Sequence, residues 1–154
     1  MNSEKLLFLY FNEIDMLSPI LVQKVLRERR ISIFTKREFR LLFDVAPVQT
    51  KYFLETYTKQ GLFTRLKPGL YAFSGRMPTE EEIANALYKP SYISFEYALA
   101  KYGIIPESVY VVTSATPKPT RFFEVEDRGF EYLKIKREAL AGYILEKKTG
   151  EREY

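Results

Sequence analysis

A helix that closes on glycine and runs straight into a hairpin limits the folds open to this chain more than any other feature. Residues 47–73 read PVQTKYFLETYTKQGLFTRLKPGLYAF. Pro47 suits the first turn of a helix, where an N–H has no intrahelical partner, and Gly61 suits the left-handed residue that ends one. Leu62–Leu66 and Leu70–Phe73 then read as strands across Lys67-Pro68-Gly69, because Pro-Gly fits the centre of a type II turn, whose second position needs a positive φ. Thr50, Phe53, Leu54 and Tyr57 give the helix an inward stripe. Val48, Gln49, Lys51, Tyr52 and Thr56 fall on its outward face.

The upstream sequence supplies further helices. Ser3–Leu17 carries Leu7, Phe11 and Ile14 at helical spacing, widened by Leu6, Tyr10 and Leu17. Ser18-Pro19 opens a second helix, for which Ile20, Leu21, Val25 and Leu26 are the expected buried face. Its basic end, Arg27–Arg30, complements the helix dipole and reads equally as a solvated helix end. Thr35 and Glu38 form a capping-box pattern at the start of TKREFRLLFD, with Phe39, Leu42 and Phe43 on one face. Helix, helix, helix, hairpin is the order of a winged helix-turn-helix. In that reading Gln49, Thr50, Lys51, Tyr52 and Thr56 on the second helix of the motif are the candidate DNA contacts, so Thr50 is counted both inward and as a contact. Arg65 and Lys67, beside the hairpin tip, are the candidate phosphate contacts. An ordinary amphipathic helix with a solvated side carries the same residues and stands as the competing reading.

Charge points the same way. Residues 1–73 hold 12 Lys/Arg and 7 Asp/Glu, a balance of +5, whereas residues 74–154 hold 12 and 13, a balance of −1. The excess positive charge thus lies wholly in the first half, as a polyanion-binding surface requires. The chain has no Cys and no His, which excludes disulfides, Cys/His zinc sites, thiol nucleophiles and imidazole catalysis. An enzyme would have to work with Glu80, Glu81, Glu82 and Glu96 beside Lys101 or Tyr92. No phosphate-binding loop, dinucleotide fingerprint or paired acidic motif selects that chemistry. The expectation is a non-enzyme without cofactor or metal. The longest apolar run, Leu6–Phe11, is six residues, far below the roughly 20 that span a bilayer, so a cytoplasmic protein with no membrane partner is expected.

Ser74–Pro78 reads as a linker between a domain over 1–73 and another over 79–154. Thr79 is placed to cap a helix whose first turn holds Glu80, Glu81 and Glu82, where the dipole favours carboxylates. In SYISFEYALAKYG, Ser94 is the expected cap, Gly103 the stop, and Ala98, Leu99 and Tyr102 the packed face. VYVVTS, RFFEV, FEYLKI and GYILE then predict a small antiparallel sheet. The fold class is α+β.

Ala84–Phe123, ANALYKPSYISFEYALAKYGIIPESVYVVTSATPKPTRFF, resembles the central block of the AbiEi-type antitoxins, the antitoxins and transcriptional regulators of type IV toxin–antitoxin and phage-defence systems. Ala84-Asn85, Ser91–Ser94, Glu96, Ala98-Leu99, Gly103, Ile105-Pro106 and the Thr113/Thr116 pair carry the likeness. Upstream, Leu54–Phe73 is similar to the winged helix of that family, including Gly61 and the Gly69-x-Tyr71 wing. The resemblance covers about Ser32–Ile135. It implies a DNA-binding transcriptional regulator that binds its own promoter as double-stranded operator DNA. It also implies that residues 79–154 form an antitoxin-like domain that counteracts a nucleotidyltransferase toxin. Members of the family continue into a further helical region after the sheet, where this sequence reaches Tyr154. Two alternatives stay open, a stand-alone regulator without a neutralising role and a protein-interaction module. Leu6–Leu17 reads either as a homodimer contact or as a strap over the N-terminal core.

Overall fold

The computed structural model describes residues 17–142. The predicted helix over 3–17, with its dimer or strap reading, and the predicted strand over 142–146 lie outside the described residues apart from Leu17 and Gly142. The architecture is mixed α+β, with five α-helices and two separate sheets among the described residues. The chain divides into two compact units, Met1–Thr79 and Glu80–Tyr154.

In the first unit, α1 (Pro19–Glu28) starts with Pro at its first position, where φ is already helical. Its buried residues are Val22 and Leu26, which corrects the expected face: Ile20 is 76% exposed and Leu21 is exposed too. At about 100° per residue, Ile20 lies about 200° around the helix from Val22, so one stripe cannot hold both. Strand β1 (Ile33–Thr35) leads into α2 (Lys36–Phe43). Thr35 and Glu38 make the capping box: the Glu38 N–H donates to Thr35 Oγ1 at 3.1 Å and the Thr35 N–H to Glu38 Oε2 at 2.6 Å. After α3 (Pro47–Lys59), Gly61 adopts φ +79° and β2 (Phe63–Lys67) pairs with β3 (Leu70–Phe73). Short β1, too brief to show a period, adds to the other side of β3, so the antiparallel sheet has the order β1-β3-β2. Phe34, Phe39, Phe53 and Phe63 are buried with Val22, Leu26, Leu54, Tyr71 and Phe73 in one core. Most of its rings meet edge-on or tilted, as Phe34 and Phe63 do at 5.4 Å and 83°, while Phe34 and Tyr71 stack at 6.1 Å and 17°. Ring quadrupoles favour edge-on and offset arrangements over a face-to-face sandwich.

The second unit opens with α4 (Glu80–Leu87), β4 (Tyr92–Ile93) and α5 (Phe95–Lys101). Strands β5 (Val111–Thr116), β6 (Arg121–Val125) and β7 (Arg128–Lys134) complete a sheet of order β4-β5-β7-β6. The expected all-antiparallel sheet is corrected here, because β5 and β7 run parallel. Pro117 and Pro119 lie in the link from β5 to β6, and neither has an N–H for a ladder. The chain does not fold back as a tight hairpin. It skips one position, and β7 returns from β6 to fill the gap. Leu99 and Tyr102, expected on a packed face, are exposed, and α5 has no fully buried residue.

Candidate nucleic-acid interface

Helices α2 and α3 are joined through Asp44, which takes the left-handed conformation (φ 49°, ψ 49°) and donates its N–H to Arg40 O. Ala46 precedes α3 and offers no side-chain acceptor to the first-turn amides, while Pro47 removes one of them. From this start α3 turns Thr50, Phe53 and Leu54 into the core. Gln49, Lys51 and Tyr52 are exposed on its first turns, and Val48 is 80% exposed. Lys51 Nζ lies 3.9 Å from Glu55 Oε1 one turn on, an exposed pair that contributes little to stability. Thr56 is half-buried.

Thr50 departs from its place among the contacts. It is fully buried, and its hydroxyl donates to Ala46 O at 2.9 Å. With its side chain inside the core and its proton engaged, it cannot meet a base edge. The periodicity that sets it inward is the better guide.

The hairpin places the remaining candidates. Gly69 has φ +80° in the turn, and its carbonyl accepts from the Lys36 N–H at 2.9 Å, fastening the tip to the start of α2. A register shift between Arg65 and Lys67 marks a β-bulge in β2. Strict alternation puts Phe63 and Arg65 on one face. The bulge after Arg65 resets the alternation, so Leu66 is buried like Phe63 despite their odd spacing; Arg65 is exposed and Lys67 half-buried. Arg37 and Arg40, absent from the sequence-based candidates, are exposed on α2. Their signal is the i, i+3 spacing of two cations around inward Phe39.

In the second unit two of the carboxylates weighed for catalysis, Glu80 and Glu81, are engaged with other side chains. Glu80 Oε2 accepts from Arg128 Nη2 at 2.7 Å and from the Tyr97 hydroxyl at 3.2 Å. Glu81 Oε1 accepts from the same hydroxyl at 3.0 Å and lies 3.2 Å from Lys101 Nζ. Burial pushes the Tyr97 phenol well above its ordinary value, and the two carboxylates push it further. Among the described residues no three acidic side chains gather as a metal-binding set. No helix among them is long and apolar enough to cross a membrane.

Ser94 precedes α5, but its side chain makes no capping bond. Thr113 of β5 does that work. Its hydroxyl donates to Ser94 O at 2.6 Å and accepts from the Tyr97 N–H at 3.1 Å. Thr116 acts similarly, donating to Pro90 O at 2.8 Å and accepting from the Lys118 N–H at 3.2 Å. Both threonines of the family-like pair therefore join strand to loop. Neither a family model nor a curated protein matches the chain.

Proposed function

We propose that the first unit is a winged helix-turn-helix that reads duplex DNA, and that the chain is a cytoplasmic transcriptional regulator of the AbiEi-antitoxin kind, with residues 1–73 as its DNA-binding domain. One observation carries the reading: α3 holds Gln49, Lys51 and Tyr52 exposed together, over a core shared with a hairpin that leaves Arg65 exposed. A polar helix face of this kind suits a major groove, and cations near a hairpin tip suit phosphates. Arg37 and Arg40 on α2 add to the backbone-facing charge, as the first helix of such a motif crosses the phosphates.

Binding isotherms at several salt concentrations, on a promoter fragment and on a scrambled duplex, test this. Arg65→Ala and Lys67→Ala are expected to weaken binding to both duplexes alike. Each should lower the magnitude of the salt slope by about 0.9, the share of one neutralised phosphate. Gln49→Ala is expected to cost roughly 1–3 kcal/mol on the promoter and little on scrambled DNA. Equal promoter binding by the wild type and by a variant with Gln49, Lys51, Arg65 and Lys67 all changed to Ala overturns the reading.

The resemblance of Ala84–Phe123 supports the second part of the proposal, that residues 79–154 counteract a nucleotidyltransferase toxin. Co-expression with such a toxin encoded beside this gene is expected to restore growth. Full toxicity in the presence of soluble, folded chain removes the neutralising role and leaves a stand-alone regulator.

A further inference from the structure

The exposed face of α3 is more apolar than phosphate binding alone requires. Val48 is 80% exposed and Tyr52, one turn later on the same side, is 71% exposed. Gln49 lies beside them, also exposed. The single cation of the helix's first two turns, Lys51, is shared with Glu55, and α3 contains no Arg.

We infer that α3 reads A·T pairs, with Val48 and Tyr52 packing against thymine methyl groups and Gln49 addressing adenine. This rests on the DNA-reading proposal above and goes further by naming the base chemistry. In the major groove, guanine is recognised by Arg or Lys at O6 and N7. Adenine offers N7 and N6–H to a side-chain amide, and thymine alone offers a methyl group. A helix face with an amide, an aliphatic residue, a phenol ring and a single Lys matches the adenine and thymine edges. The positive balance of residues 1–73 draws such a face to the duplex without specifying sequence. An apolar pair of this exposure on a helix face finds its complement in a groove floor of methyl groups between two rows of phosphates.

The test enriches a random-sequence duplex library on the full chain and then remakes a winning duplex with deoxyuridine in place of thymine, one position at a time. Deoxyuridine keeps the pairing and removes only the methyl. The enriched core is expected to be A·T-rich, and at least one substitution should weaken binding about fourfold, the effect of uncovering one methyl. Val48→Ala should bind the thymine duplex as weakly as the wild type binds the uridine one, and should be insensitive to the replacement. Val48 is at the surface, so the variant is expected to unfold at the wild-type temperature. Enrichment of G·C cores overturns the inference, as does indifference to deoxyuridine at every position; in both, salt-dependent DNA binding itself survives. Failure to enrich any duplex overturns both this inference and the reading beneath it. Unchanged methyl sensitivity in Val48→Ala removes Val48 from the contact.

Discussion

Thr113 holds two backbone groups that its own strand does not use. Its hydroxyl serves the Ser94 carbonyl and the Tyr97 amide at the start of α5, although Thr113 itself lies in β5 and is buried. Thr113→Val keeps the shape and leaves both groups without a partner, at a cost of about 2 kcal/mol in unfolding free energy. Urea denaturation checks this, and a loss of less than about 0.5 kcal/mol, the size of an ordinary surface substitution, would mean that water replaces the hydroxyl. The contrast with Thr35 shows what a sequence can reveal at this scale. Thr35 and Glu38 sit within one short window, so their capping box is legible as a pattern. The cap from Thr113 reaches back across a loop to a residue whose own identity, Ser94, suggests a self-sufficient cap. Thr50 is similar: a small hydroxyl residue early on a polar helix looks like a contact, and only its angular position tells that the hydroxyl turns inward to Ala46.

At the scale of elements, helices α2 and α3 and the β2–β3 hairpin are readable because each brings its own start and stop signals. The bulge in β2 is not, since it depends on which side of β3 the strand must cover. The parallel pairing of β5 with β7 is also hidden, because alternation marks a strand without naming its neighbour. Two tyrosines bind the elements of the second unit together. Tyr97 links α5 to the start of α4 through Glu80 and Glu81, while the Tyr132 hydroxyl of β7 donates to the Ala84 carbonyl of α4. Burial raises both phenols well above the ordinary 10.0. A group whose folded pKa is raised contributes its stability fully below the unfolded pKa and loses it as pH climbs toward the folded value. The second unit should therefore keep its stability up to about pH 10 and then weaken, with a slope of about 1.4 kcal/mol per pH unit for each such phenol. Urea melts across that range check it, and Tyr132→Phe should flatten the slope while lowering stability at neutral pH through the missing hydrogen bond. A stability that stays level to about pH 11 would mean that the phenols ionise without unfolding.

For the whole molecule, the sequence places the helical, basic half before the half that carries the longer strands. It does not reveal that the halves build separate sheets of different construction. That difference has a consequence in time. In the first sheet β2 and β3 close as a hairpin and cover the side of β3 that faces β2 at once, while β1 is an edge strand that needs only one partner, β3, between thirty-five and thirty-nine residues further along. The second sheet is arranged otherwise. β5 has only the two-residue β4 beside it until β7 exists, and β7 pairs with it eighteen residues further along. On a ribosome adding about 5–20 residues per second, the amides along one side of β5 stay unpaired for on the order of a second after the strand is made. The β6–β7 hairpin must close before they are covered, so the newborn chain carries an open edge through that interval. It is at its most prone to associate with other nascent chains then, and the brevity of the link through Pro117 and Pro119 keeps the interval short.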